Sequence, residues 1–342
     1  MSRKEKRQNS HFEIIKPVAN DHWPRGITFD KGFKLIGTPL SFSGARNPGL
    51  LFVSDVDDPM PARGGRVICT PETAAAIDAK GRELDVLTMP FNRSIRLGRM
   101  DIRLLPSGAT VGSAHLEVSY KDRKILYSTR MRTSSSQISA MSKMTPKCDL
   151  LLINSPCAES APPSPKATAK HLAAWVSQIS KLPEEIPVIA CGTMGAAITA
   201  ALALKNLNIT IHAYRPVYEL LRRLSKTDIS LPALLRLNKK RPKTGLILHL
   251  SKRWPASSFF NDHTNNVAYA GPGRTIPSWA TNGFRMGETE DRRGLLRFIK
   301  NTGALRVALG PNCHRDMALS IGKKELEVHY IEQPLQIPLP LF

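Results

Sequence analysis

The sequence predicts a mixed α/β fold built in two parts, and three observations predict it. From Phe12 to Val53 short apolar runs alternate with turn residues (GITFD, GFKLIG, GLLFVSD), which is how antiparallel strands are written. Beyond a proline-rich stretch at Pro156–Pro165 (PCAESAPPSP), strand and helix patterns alternate, which implies a parallel sheet with right-handed crossovers. Hydrophobic residues make up 42% of 342, enough for one large or two ordinary domains with a sizeable core.

In chain order, residues 1–11 form a basic polar tail. Thr70, Pro71 and Gly81 bracket a helix, TPETAAAIDAKG, with Thr70 as N-cap, Pro71 at the first helical position and Gly81 at the end. Arg103–Leu105, Leu116–Tyr120 and Ile125–Ser128 read as strands, the last two joined by a charged turn. Leu150–Asn154 reads as another buried strand. After the proline-rich hinge come helix Ala167–Ser180, strand Pro187–Ala190, helix Gly195–Lys205, strand Ile209–His212 and helix Val217–Leu224. Strands follow at Gly245–Leu250 and Asn266–Tyr269. Arg292–Thr302 is an amphipathic helix closed by Gly303, and Leu305–Leu309 a strand. The proline-rich end, 334–342, cannot be regular structure.

Charge narrows the partner. There are 49 Lys and Arg against 28 Asp and Glu, a formal net charge of +21. Such an excess points to a polyanion, because Lys and Arg contacts to phosphates release counterions. Nucleic acid, RNA or DNA, is the expected partner, ahead of an anionic membrane surface. The basic runs are Arg3–Arg7, Arg215 with Arg222 and Arg223, the RLNKKRPK stretch (Arg236, Lys239, Lys240, Arg241, Lys243), Lys252 with Arg253, and Arg292 with Arg293. Trp254 beside Arg253 is a candidate for stacking on a base. The five cysteines form no CxxC and are odd in number, which favours free thiols in a reducing compartment. The N-terminus has no apolar signal core, and no run of about 18 apolar residues exists, so the expected location is cytoplasmic, without a membrane span.

The most specific stretch is Leu104–Met131, LLPSGATVGSAHLEVSYKDRKILYSTRM. It resembles a motif of metallo-β-lactamase-fold nucleases of the β-CASP type, roughly LLPAGHxLGSAxxxVxxxxxxILYTGDF. Val67–Thr73 (VICTPET) is similar to the strand-to-helix corner of that family, and Trp279–Thr281 with Thr289–Gly310 is similar to its closing run. The likeness is to the small bacterial ligase-associated or RNA-processing exonuclease branch. It implies a metallo-β-lactamase-like αββα sandwich formed by residues 12–160 and 285–333, interrupted by a β-CASP-like α/β domain at 161–284.

The same resemblance locates the family's metal ligands, and this chain lacks them. In the DVDDPM loop, alignment from the preceding strand puts Asp55 and Asp57 at the two His positions and Pro59-Met60 at the Asp-His pair; alignment from the following corner puts Ser54, Val56, Asp58 and Pro59 there. The next His is Ala109, the bridging carboxylate is Arg130, and the last two His read Thr289 and Leu309. A methyl group coordinates nothing, and a guanidinium has five donors, no acceptor and a fixed charge. Two-metal hydrolysis needs imidazoles and carboxylates converging on ions about 3.5–4 Å apart. Hydrolysis and cofactors are therefore not expected. Arg130 either neutralises the acidic loop in place of a metal or grips a phosphate of bound nucleic acid.

Other features admit both a functional and a plainer reading. Asp55, Asp57 and Asp58, with His115 as a displaced imidazole, are the candidates for a rebuilt site that would take Zn or Mn in an active exonuclease. The plainer reading makes His115 an ordinary strand residue. Cys191–Gly195 (CGTMG) would aim amide groups at an anion, or is simply a tight turn needing small residues. Cys313-His314 reads as structural loop, and Ser134–Ser136 as a loop after the missing bridging acid. The expected function is a catalytically degenerate nuclease relative that binds nucleic acid or supports a partner from DNA repair or RNA processing. The alternatives are the rebuilt hydrolase and a structural subunit of a nucleoprotein complex.

Overall fold

A computed structural model describes residues 27–29, 31–42, 49–78, 83–120, 123–133, 145–158, 160–240, 242–259, 266–287, 289–321 and 326–331. The basic tail at 1–11, Gly81, the serines at 134–136, Arg241 and the proline-rich end at 334–342 lie outside them.

The first half supplies two sheets. One has six strands in the order β1 (Ile27–Phe29), β2 (Phe33–Leu35), β3 (Leu40–Phe42), β4 (Leu50–Phe52), β5 (Arg66–Cys69) and β6 (Asp85–Thr88). The antiparallel pattern expected through Val53 holds only for β1–β2–β3; β3, β4 and β5 pair in parallel. The physical reason is burial on both faces. Leu40–Phe42 and Leu50–Phe52 are buried at every position, as strands of a parallel sheet are, so alternation carried no information there. Helix α1 (Pro71–Asp78) follows β5, and the Thr70 hydroxyl accepts from the Thr73 amide at 3.2 Å.

The second sheet has seven strands. β7 (Ser94–Leu97), β8 (Met100–Pro106), β9 (Ala114–Tyr120) and β10 (Arg123–Ser128) form an antiparallel meander, and β11 (Leu150–Ile153) adds in parallel. The chain then leaves this sheet and returns only with β18 (Arg306–Leu309), which pairs with β11, and β19 (Glu327–Tyr330) at the edge. The two sheets face each other across an apolar core. At its centre Tyr127 is fully buried, with ring centroids 4.7 Å from Phe42 and 6.0 Å from both Phe33 and Phe52. Helix α1 covers the outer face of the first sheet through Ile77. Helices α5 (Arg292–Thr302) and α6 (Arg315–Ile321) cover the outer face of the second through Leu295, Phe298, Ile299, Met317 and Ile321.

Between β11 and β18 lies a third sheet whose described pairings are all parallel. Its order is β14 (Leu234–Arg236), β13 (Ile211–Ala213), β15 (Leu246–Leu250), β12 (Val188–Cys191), β16 (Val267–Gly271) and β17 (Asn282–Arg285). Helices α2 (Pro165–Ile179), α3 (Met194–Ala203) and α4 (Arg215–Leu224) pack on one face of it. The same core includes Val56 and Ala76 from the first half, so the apolar interior is continuous across the two parts. Loops cover the other face, with Trp254 and Phe259 inserted.

One backbone position couples the Leu104–Met131 motif to the helix corner. Gly112 has φ +76, and its carbonyl accepts from the hydroxyls of Thr70 at 2.7 Å and Thr73 at 3.0 Å. A Cβ there would lie 2.8 Å from Glu72 Cβ and 2.9 Å from the Thr73 amide nitrogen. Gly98, at φ +61 in the β7–β8 turn, has nothing within 4 Å of such a Cβ. Gly112→Ala is therefore expected to cost about 3 kcal/mol, strain plus overpacking, and Gly98→Ala about 1 kcal/mol, strain alone. Urea unfolding of both variants checks this; equal losses would refute the packing role given to Gly112.

Candidate functional site

The acidic loop after β4 is organised by its own carboxylates. Asp58 Oδ2 accepts from the Ser54 amide and hydroxyl, each at 2.8 Å, and the Ser54 hydroxyl also bonds Thr129 at the end of β10. Asp55 Oδ1 accepts from the Asp57 amide at 2.7 Å. Asp57 reaches out of the loop: its Oδ1 accepts from the Met194 amide at 3.0 Å and its Oδ2 from the Gly195 amide at 3.1 Å. These are the first amides of α3, so the CGTMG corner does present N–H groups to an anion, and the anion is a side chain of the same chain. Gly195 is required by this approach, since a Cβ would sit 2.6 Å from Asp57 Oδ2 and 2.7 Å from Thr110 Cγ2.

Arg130 closes the arrangement. Its Nη1 lies 3.4 Å from Asp57 Oδ2 and its Nε 3.9 Å from Asp55 Oδ2. Asp55 is fully buried, and its carboxyl is pushed up to about 7, first by burial and then by the charge of Asp58, with Arg130 pulling the other way. Its Oδ2 has no hydrogen-bond partner among the described residues.

The other residues that the sequence resemblance compares with metal ligands have surroundings of their own. Ala109 is buried at the wall of a cleft. Thr289 donates its hydroxyl to the Pro156 carbonyl at 2.8 Å. Leu309 is packed in the core beneath α5 and α6. His115 on β9 is 2% exposed and stacks on Phe298 with centroids 5.3 Å apart; burial pushes its imidazole down to about 3. These donors do not fit a pair of zinc or manganese ions. Asp57 and Asp58 are already engaged, His115 is stacked on a core ring, and a guanidinium stands against the acids. Among the described residues no three His, Cys, Asp or Glu stand together as a metal site. Cys313 beside His314 is a buried thiol pushed up to about 12 by burial, which keeps it protonated.

The basic residues form a second feature. Parallel strands bring their carboxyl ends to one edge of the third sheet. Arg236 ends β14 and leads to Lys239 and Lys240, Arg215 follows β13, and Lys252 and Arg253 follow β15. All six are exposed. Strands stand about 4.8 Å apart, so Arg215, Arg236, Lys252 and Arg253 share one rim, and Lys239 and Lys240 lie in the segment that leads from it back toward the amino end of β15. Lys243 does not join it. It precedes β15 and lies at the opposite, amino end, so the RLNKKRPK run is divided between two edges.

Trp254 is not available for stacking on a base. It is fully buried, against the strand face, with its ring 5.5 Å from His249. Its apolar area is worth more in the core than on a rim. The half-buried aromatic at the rim is Tyr214, between Ala213 and Arg215, stacked on His249 at 4.2 Å. A Tyr-Arg pair at the end of a strand before a helix was the signal available in the sequence.

No protein-family model matches this chain, and no curated protein matches it. A solved structure of a protein of unknown function from Enterococcus faecalis V583 is similar to it at 14% identity, with a TM-score of 0.58, covering 83% of this chain and 79% of that one. That likeness extends to the fold alone. Among the described residues no helix is long and apolar enough to cross a membrane.

Because the Asp55 carboxyl titrates higher in the folded chain than its ordinary 3.8, the folded state holds a proton that the unfolded state has released. Its stabilising effect is full below about pH 4 and is lost as pH rises toward 7, a few kcal/mol at about 1.4 per unit. Asp55→Asn keeps the acceptor for the Asp57 amide and removes the titration. The variant is expected to match the parent near pH 4.5 and to melt higher at pH 8, read by thermal unfolding across that range. Parallel pH profiles would contradict this assignment.

Proposed function

We propose that this chain is a catalytically degenerate relative of the β-CASP nucleases that binds nucleic acid, single strands foremost, and does not cleave it. The observation that carries the binding reading is the exposed rim of Arg215, Arg236, Lys252 and Arg253, with Tyr214 among them, at the carboxyl ends of three adjacent parallel strands, and with exposed Lys239 and Lys240 in the segment that follows Arg236. Cations at that spacing follow a phosphate backbone, and an aromatic face between them accepts a base of any sequence. In open α/β sheets ligands bind at the carboxyl ends of the strands, which favours this edge over the one that carries Lys243.

Arg130 supports the degenerate half of the reading. A permanent cation 3.4 Å from Asp57 takes the position that the family resemblance gives to a bridging carboxylate. The layering of α1, two facing sheets, and α5 with α6 supports a metallo-β-lactamase-like αββα sandwich. The third sheet, entered and left between β11 and β18, supports a β-CASP-like insertion.

Fluorescence anisotropy with a labelled 20-nucleotide RNA, single-stranded and duplex, at two salt concentrations tests the binding. Affinity for the single strand is expected to fall about a hundredfold between 50 and 200 mM salt. Arg236→Glu/Lys252→Glu/Arg253→Glu should flatten that slope by about 0.7 per lost contact, while Lys243→Glu leaves it unchanged. A triple variant with parental affinity overturns the rim as the binding surface. Chelator-sensitive cleavage of the RNA overturns the degenerate reading.

A further inference from the structure

Three sulfur-bearing side chains meet at the start of α6. Cys157 follows β11, and its thiol donates to the Met317 thioether with the two sulfurs 3.6 Å apart. Cys313 stands four residues before Met317, in the turn that leads into α6, and its thiol donates to the Ile153 carbonyl at 3.5 Å. All three belong to one apolar cluster. Met317 is fully buried and Cys313 nearly so, while Cys157 is half-buried and faces solvent in part. Burial pushes the Cys313 thiol up to about 12, and nearby Cys157 adds to the push. Cys157 is the easier of the two to ionise, raised to about 11 by burial and then by Asp291.

The 3.6 Å separation sets what fits between Cys157 and Met317. A metal with bonds of about 2.3 Å to each sulfur would subtend about 103° there, near the tetrahedral value, so neither side chain has to move. Ligand type selects the ion. A thiolate and a thioether are soft donors, which suit Cu(I) better than the zinc or manganese of a hydrolase. Charge agrees. One thiolate and one thioether neutralise a monovalent ion, whereas a divalent ion would leave net charge in an apolar cluster unless Cys313 also ionised.

We propose that Cys157 and Met317, with Cys313 as a third sulfur, form a binding site for a single Cu(I) ion. The ion takes the place of the Cys157 thiol proton. The S–H bond breaks, a copper–sulfur bond forms, the proton passes to solvent, and copper stays in the same oxidation state. The site uses no residue of the basic rim and does not depend on the nucleic-acid reading.

Anaerobic titration of the full chain with Cu(I) buffered by the chelator bathocuproine disulfonate tests the site. One equivalent of copper is expected to pass from the chelator to the chain, and zinc(II) at equal concentration should not displace it. Cys157→Ser should weaken Cu(I) binding by about a hundredfold and the volume-conserving Met317→Leu by about tenfold, both with the parental circular dichroism spectrum. X-ray absorption of the copper-loaded chain should show sulfur neighbours at about 2.3 Å. The same chain labelled with selenomethionine, which keeps the parental side-chain shape, should show selenium in the copper shell. Failure to take copper from the chelator, parental affinity in Cys157→Ser, a shell of nitrogen alone, or a labelled chain without selenium beside copper would each overturn the site.

Discussion

The contact on which this arrangement turns is the Asp57 carboxylate at the head of α3. One side chain from the loop after β4 receives two backbone amides of the third sheet's second helix and stands 3.4 Å from Arg130, which follows β10 of the second sheet. Three segments distant in sequence thus converge on two oxygen atoms. Charge-assisted bonds to amides and a guanidinium are stronger than neutral ones, and the helix N-terminus favours the negative charge. The position of α3 against the Gly108–Val111 loop, and hence the shape of the cleft between them, follows from this joint.

The neighbourhood of Arg130 shows how a cluster of carboxyl groups in one loop is balanced. Of three carboxyl groups in one loop, two, Asp55 and Asp57, face one guanidinium. The imbalance is resolved locally. Asp58 is satisfied by Ser54, Asp57 by amides and Arg130, and Asp55, the most buried, retains its proton nearly to neutrality. A buried acid that stays neutral costs less than a buried charge.

Much of this was legible in the sequence. The strand–helix alternation after Pro165, the Thr70 cap and the Gly303 C-cap at φ +66 all rest on local chemistry that survives in the fold. Arg130 and the acidic loop could be nominated together, but their distances depend on tertiary placement that spacing does not encode. What escaped were short edge strands, β6, β7, β14, β17 and β19, of three or four residues each, too brief for a periodic pattern. The division of RLNKKRPK is hidden for a related reason: β14 is too short to show in the sequence, so nothing there indicates that the chain returns across the sheet before Lys243. Trp254 illustrates a different limit. A tryptophan beside Lys-Arg reads as a stacking residue, and only the fold reveals that a strand face lies beneath it.

The placement of the third sheet has a consequence for biogenesis. About 150 residues separate β11 from β18, the strand that completes its pairing. At a synthesis rate of about 5–20 residues per second, the apolar edge Leu150–Ile153 stays open for roughly 8–30 s on the ribosome. An exposed strand of that composition is a template for pairing with another chain. The nascent polypeptide must therefore be shielded through the interval in which its central domain is still emerging.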